Sequence, residues 1–259
     1  NISYNNITTT GNSANGVDMG SSTNNTLTFN SFNTTNGYGV YIAYSTSPTA
    51  SYYNHNIDTT NTEQGDPIYY YYGKVSESVQ DIGNAGQLFI SNSTNFTITN
   101  FTVTHDGLVM TLADECNITN STITTNGSGI HGIYSYYSDN TEMYFNNITT
   151  YGVSSNVIFI EDSIGDKVIN NNIHSASSSN ADGIMLYTST YSLVENNIIE
   201  VDAIGSDGIS SYYYADDNNI TDNIITTHSY SVGIDVSSYS NRNRIVNNTA
   251  LTSNMKGIS

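Results

Sequence analysis

One cadence runs through almost the whole chain: two polar residues, usually Asn-Asn, then an apolar residue, returning about every 25 residues. It reads Asn5-Asn6-Ile7-Thr8, Asn146-Asn147-Ile148-Thr149, Asn171-Asn172-Ile173-His174, Asn196-Asn197-Ile198-Ile199, Asp222-Asn223-Ile224-Ile225 and Asn247-Asn248-Thr249-Ala250. Weaker copies are Asn30-Ser31-Phe32-Asn33 and His55-Asn56-Ile57-Asp58. The apolar anchors are thus residues 7, 32, 57, 123, 148, 173, 198, 224 and 249, with Val103 and Val79 or Ile82 filling the one long gap. A second anchor keeps phase with the first. It is a glycine followed by an apolar residue, as in Gly39-Val40, Gly107-Leu108, Gly132-Ile133, Gly183-Ile184, Gly208-Ile209 and Gly233-Ile234.

The period selects the architecture. Helical repeats are longer and carry Ala, Leu, Glu and Lys at helical spacing, which this chain lacks. Leucine-rich repeats match the length, but leucine is scarce. What remains is short strands of Ile, Val, Tyr and Thr separated by Asn/Ser/Gly turns. Gly132 to Thr150 shows three such strands in one repeat. The expected fold is all-β, a parallel β-helix of about eleven coils of about 24 residues, each with three short strands. Crossovers between parallel strands are right-handed, so the coil is expected to be right-handed. The repeat implies one domain over 1–259, irregular around 58–86, with its inward aliphatics stacked in one apolar column. At each corner an asparagine can take the left-handed backbone region and bond to its neighbour above, forming a ladder. Asn6, Asn56, Asn147, Asn172, Asn197, Asn223 and Asn248 are the expected ladder residues.

Charge excludes several functions. Of 259 residues, 23 are acidic and 5 basic, a formal net charge of −18. Such a surface repels phosphate backbones and anionic lipid, so neither nucleic acid nor a membrane surface is an expected partner. No apolar run is long enough to span a bilayer. The chain starts without Met or a signal-peptide pattern and reads as a mature or excised piece of something larger. Cys116 is alone and reads as a small buried apolar residue.

The Asn-Asn-Ile and Gly-Ile cadence resembles the right-handed parallel β-helix repeats of the pectin-lyase-like superfamily, closest to the NosD-like and carbohydrate-binding subset. In its Asn/Thr/Ile/Tyr-rich style it is similar to adhesin-like and surface-layer proteins of methanogenic archaea. The regularity of the repeat, clearly broken only around 58–86, points to an extracellular structural role, as a surface-layer, sheath, fibre or adhesin module, with a carbohydrate-binding module or a polysaccharide lyase or hydrolase as the alternatives. Partners would be copies of itself, through ends or flanks, or flanking domains of the same protein.

Candidate sites follow from residue type. There are 22 tyrosines against 7 phenylalanines and no tryptophan. Tyr44, Tyr136, Tyr137, Tyr187, Tyr212, Tyr213, Tyr214 and Tyr239 fall a few residues after a glycine anchor, so in register they form a stripe. Facing outward, it can stack on sugar rings or pack against a neighbouring rod. The expected cofactor list is empty but for Ca²⁺, for which Asp202, Asp207, Asp216 and Asp217 are the candidate oxygen ligands. The five histidines sit at different offsets from the anchors and are not expected to share a metal face. Asn-x-Ser/Thr acceptors at Asn24, Asn92 and Asn126 are the glycosylation candidates. Asp216-Asp217, His131 and Arg242 have the residue types of a polygalacturonase-like centre. However, more than three coils separate His131 from the Asp pair, so no catalytic residue is assigned and enzyme activity is not expected.

Overall fold

The computed structural model describes residues 1–42, 48–228, 230–253 and 255–259. The chain is an all-β parallel solenoid of about ten turns. From Asp66 onward each coil gives one strand to each of three sheets. Residues Ile133–Tyr136, Glu142–Tyr144 and Asn147–Thr150 make one coil. Residues Ile158–Glu161, Lys167–Ile169 and Asn172–Ser175 make the next, each strand parallel to its predecessor. The first sheet holds the strands that follow the glycine anchors, from Asp66–Tyr72 to Ile234–Ser237. The second runs from Ser78–Gln80 to Arg244–Val246, and the third from Asn84–Ala85 to Thr249–Thr252. Strand alternation sends Ile133, Met143 and Ile148 inward, all fully buried, while Asn147 points to solvent.

The irregular region contains a reversal. Thr62–Glu63 runs parallel to Ser31–Thr34 but antiparallel to Asp66–Tyr72, so the coils of residues 1–64 wind against the direction of the rest. The expected single column is accordingly two clusters. The larger follows the main solenoid from Ile82 to Ile234. The smaller gathers Met19, Leu27, Phe32, Val40 and Ile57 from the first coils onto Ile68 and Phe89, and Phe89 faces out from the first sheet. Two buried carboxyls lie at this junction. Asp106 accepts the Gly39 N–H at 2.6 Å and Glu63 accepts from Thr34 at 2.9 Å. Burial pushes both above the usual carboxylate range, and Glu63 pushes Asp106 further.

The asparagine ladder exists, but in a different register from that expected. It runs Asn146, Asn171, Asn197, Asn223, Asn248; from Asn171 on, each amide oxygen accepts from the backbone N–H and side-chain amide of the asparagine one coil earlier at 2.9–3.1 Å. A short copy links Asn5, Asn30 and Asn61 in the first coils. Asn197, Asn223 and Asn248 are therefore ladder residues, while Asn6, Asn56, Asn147 and Asn172 are exposed on strands. The reason lies in the corner. Its first residue is left-handed, as in Phe145 (φ 56°), Asn170 (φ 57°), Asn196 (φ 54°) and Asp222 (φ 57°). The next residue is the ladder asparagine, and the strand follows it. The inward anchors of the last coils are likewise Ile199, Ile225 and Ala250, one residue beyond the expected 198, 224 and 249. Ile198 and Ile224 are more than half exposed.

The anchor glycines are fixed by close approach. A Cβ at Gly208 would lie 2.3 Å from Ile225 Cγ2 and 2.5 Å from the Gly233 carbonyl oxygen. Gly208→Ala is expected to destabilise by about 1–3 kcal/mol through overpacking. Gly83→Ala, where a Cβ meets nothing, is expected to stay close to wild type. Urea denaturation of the two variants distinguishes them.

Candidate functional site

The outer face of the first sheet carries two rows of side chains. One runs Tyr70, Phe89, Val109, Tyr134, Phe159, Met185, and the second, two residues along each strand, includes Tyr136, Glu161, Tyr187 and Tyr212. Ring contacts link them along the axis. Tyr134 stacks on Phe159 (centroids 5.2 Å), and Phe159 meets Tyr187 edge-on at 6.3 Å. Tyr187 stacks on Tyr213 at 5.5 Å, Tyr213 meets Tyr214 at 4.9 Å and 73°, and Tyr214 stacks on Tyr239 at 5.4 Å. The three stacked pairs stand nearly perpendicular to one another in succession, at 82° and 73°, so the track is corrugated rather than flat. Exposure rises along it, from 7% at Tyr134 to 41% at Tyr213 and 71% at Tyr239.

At its buried end the track enters a cleft of about 120 Å³. Tyr38, Tyr41 and Ile42 of the first coils form one wall; Phe89, Tyr134 and Phe159 form the other. His131 lies beside the Tyr134–Phe159 pair, 5.5 and 5.0 Å from their ring centres and tilted against both. Burial pulls its pKa down to about 4, against an opposing backbone hydrogen bond at Asn156, so the ring is neutral at physiological pH. Its buried Nδ1 has no hydrogen-bond partner among the described residues. The Tyr134 hydroxyl donates to Glu161, whose carboxyl burial holds above the usual range. The face thus combines aromatic rings with a few polar groups, the make-up of a site that binds a partly polar ligand by stacking.

The model of the right-handed β-helix region matches residues 86–250. The chain belongs to this right-handed β-helix family. Among curated proteins no match is found. Among solved structures the β-helix is similar to PfbA, a surface adhesin of Streptococcus pneumoniae. The two share 11% identity over 89% of this chain and 84% of that one, with a TM-score of 0.34, a level that says nothing about function.

The β-helix assembles some of the expected residues and separates others. Tyr187, Tyr212, Tyr213, Tyr214 and Tyr239 lie together on the track. Tyr137 is half-buried beside it. Tyr136 does not join an exposed stripe: it is 2% exposed, its ring covered by those of Tyr134 and Tyr137 at 6.0 and 4.7 Å. Tyr44 lies outside the described residues. Phe89, Tyr134 and Phe159 were not singled out from the sequence, although Tyr134 and Phe159 take the first outward position of their first-sheet strands and Phe89 the second.

The four aspartates proposed for Ca²⁺ do not converge. Asp207 accepts the Val232 N–H at 3.1 Å and its own N–H donates to Asp182, inside a turn ladder. Asp216 and Asp217 hold Arg242, with Nη2 at 3.4 and 2.6 Å from their carboxylates. Asp202 lies elsewhere, on the outer face of the third sheet beside His174, Glu200 and His228, so two histidines share a face after all. The polygalacturonase-like fragments stay apart, since Arg242 is engaged by the Asp pair and the half-buried His131 is three coils away. Cys116 is buried, its thiol pushed up to about 11 by burial. Asn24 and Asn126 are exposed and Asn92 is half-buried.

Proposed function

We propose that this chain is a non-catalytic, carbohydrate-binding rod of a cell surface, which holds a glycan along the aromatic face of its first sheet. The observation that carries this reading is the unbroken run of ring contacts from Tyr134 to Tyr239. At about 4.8 Å per coil it extends roughly 19 Å, enough for a short run of sugar rings. Tyrosine suits this task because it offers a stacking face and a hydroxyl together. A neutral glycan fits the charge balance. A formal −18 opposes close approach of acidic polymers, and Arg242 is neutralised by its own aspartates. The separation of the acid pair from His131 supports binding without turnover. Exposed acceptors at Asn24 and Asn126 suit an exported, glycosylated protein.

The test is a glycan array followed by calorimetry on the hits. Tyr213→Ala/Tyr214→Ala is expected to weaken binding at least tenfold, because the rings are 41% and 51% exposed and carry little of the core. An array without hits, hits untouched by the double variant, or release of sugar fragments from a bound polymer each overturns the reading.

Lateral association of copies is the second reading. It is favoured by Ile198 and Ile224, 56% and 54% exposed on successive coils of the third sheet. Sedimentation of the purified chain separates the two: a monomer that binds glycan supports the first, and a concentration-dependent oligomer lost in Ile198→Asn/Ile224→Asn supports the second.

A further inference from the structure

The third sheet carries a cluster that the aromatic face does not use. Three successive coils place outward residues in register there. His174 comes from the first, Glu200 and Asp202 from the second, and His228 from the third, in the row of Asp202. His174 Nε2 lies 3.1 Å from Asp202 Oδ2. His228 Nε2 lies 3.7 Å from Asp202 Oδ1 and 3.9 Å from Glu200 Oε1. One donor atom each from His174, Glu200 and Asp202 falls within 4.8 Å of the others, while His228 stands just outside that set and faces the other Asp202 oxygen. Among the described residues neither carboxylate is paired with a lysine or arginine.

We propose that His174, Glu200, Asp202 and His228 form a zinc site that bridges three coils. Ligands of a tetrahedral zinc ion, bound at about 2.0–2.1 Å, lie roughly 3.3 Å from one another. The spacings of 3.1, 3.7 and 3.9 Å bracket that value. His174, Glu200 and Asp202 already stand together, and His228, exposed at the end of its side chain, closes on them by rotation. Two imidazole nitrogens and two carboxylate oxygens match zinc and its borderline neighbours. Calcium takes oxygen ligands in greater number and has little use for imidazole. The two carboxylates balance the ion's charge. The backbone under the cluster is fixed by parallel pairing between the coils, so the donors are presented without folding of a loop. Zinc there would clip the third sheet across three coils, on a different sheet from the tyrosine track.

The test uses the full chain freed of metal with a chelator and dialysed. Calorimetry with zinc chloride is expected to show one ion per chain, bound at micromolar affinity or tighter. Thermal unfolding should move upward with zinc and not with an equal concentration of calcium. Cobalt(II) is expected to give the visible absorption of a four-coordinate nitrogen and oxygen site. His174→Ala and His228→Ala should each weaken zinc at least tenfold, and the double variant should abolish the stoichiometric site. These side chains are partly exposed, so circular dichroism and the metal-free unfolding midpoint should stay unchanged. Zinc that binds only weakly and in multiple equivalents, or binding that survives the double histidine variant, overturns the proposal.

Discussion

Asn197→Ala is expected to lower the stability of the chain by about 2–4 kcal/mol, a large share of what a domain possesses. The side chain is fully buried. Its oxygen accepts from the Asn171 backbone N–H and side-chain amide at 2.9 and 3.0 Å. Its own amide donates to the Val168 carbonyl at 2.8 Å and to Asn223 at 3.0 Å. Alanine leaves the Asn171 backbone N–H without a partner and without water, and a buried orphan costs about 1–3 kcal/mol. It also takes one bond each from the Asn171 side-chain amide, which keeps the Met143 carbonyl, and from the Val168 carbonyl, which keeps its strand pairing. Stability in a solenoid is a sum over coils and their interfaces, so the weakness is local and the rod is expected to open at this coil boundary first. Asn172→Ala is the control. That residue is exposed and gives up one surface bond to Asn147, so the change should stay within about 0.5 kcal/mol. Asn197→Ser should fall between them. A serine already fills the equivalent corner at Ser121, where its hydroxyl accepts the Phe101 N–H at 3.3 Å. Urea denaturation followed by circular dichroism decides the matter, and equal midpoints for Asn197→Ala and Asn172→Ala would remove the ladder as a source of stability.

The same corner shows how far the sequence could be read. The repeat length, three strands per coil and parallel stacking were legible because each coil repeats the same alternation of apolar and polar residues. Family membership agrees. Register within the corner was not legible. In Asn170-Asn171-Asn172 three identical side chains take three roles: left-handed turn, ladder and outward strand. Only the backbone angle and the coil above distinguish them. The doublets Ile198-Ile199 and Ile224-Ile225 hide a one-residue shift in the same way. The reversal at residues 62–67 was visible only as a loss of periodicity, because antiparallel pairing leaves no separate mark in a polar strand. The tyrosine track was legible through its exposed half. Its buried half depends on first coils folding back over Phe89, a contact between distant segments that no local pattern encodes. The zinc donors escaped for a related reason: His174 and His228 differ in offset by two residues, and an outward strand face tolerates that difference.

The second large effect concerns pH. Asp166 is fully buried in a corner column of the second sheet that holds asparagine in later coils. Its Oδ1 accepts from the Thr141 N–H and hydroxyl at 2.8 and 2.7 Å, and its Oδ2 has no partner among the described residues. Burial raises its pKa to about 7; the two Thr141 bonds oppose the rise, and Asp139 and Asp114 add to it. In the unfolded chain an aspartate titrates near 3.9. The folded state therefore binds this proton more tightly. The stability it confers is complete below about pH 4 and is lost as pH rises through about 7. A gap of about three between the folded and unfolded values corresponds to a loss on the order of 4 kcal/mol. Asp182, raised to about 7, and Asp207, raised to about 6, slope the same way, as does repulsion within a chain of net charge −18. The protein is thus expected to unfold at a higher temperature at pH 5 than at pH 8. Asp166→Asn isolates one contribution. The amide keeps the oxygen that Thr141 uses and puts an N–H₂ group where Oδ2 stands. In the same column the side-chain amide of Asn218 donates to the carbonyl of Ser189, and that of Asn243 to the carbonyl of Ala215. By that register, the amide at 166 would reach the carbonyl of Ser138. Asp166→Asn should match wild type near pH 4 and exceed it by several kcal/mol at pH 8, with a shallower decline between. Parallel pH profiles for the two proteins would show that Asp166 is not held protonated in the fold.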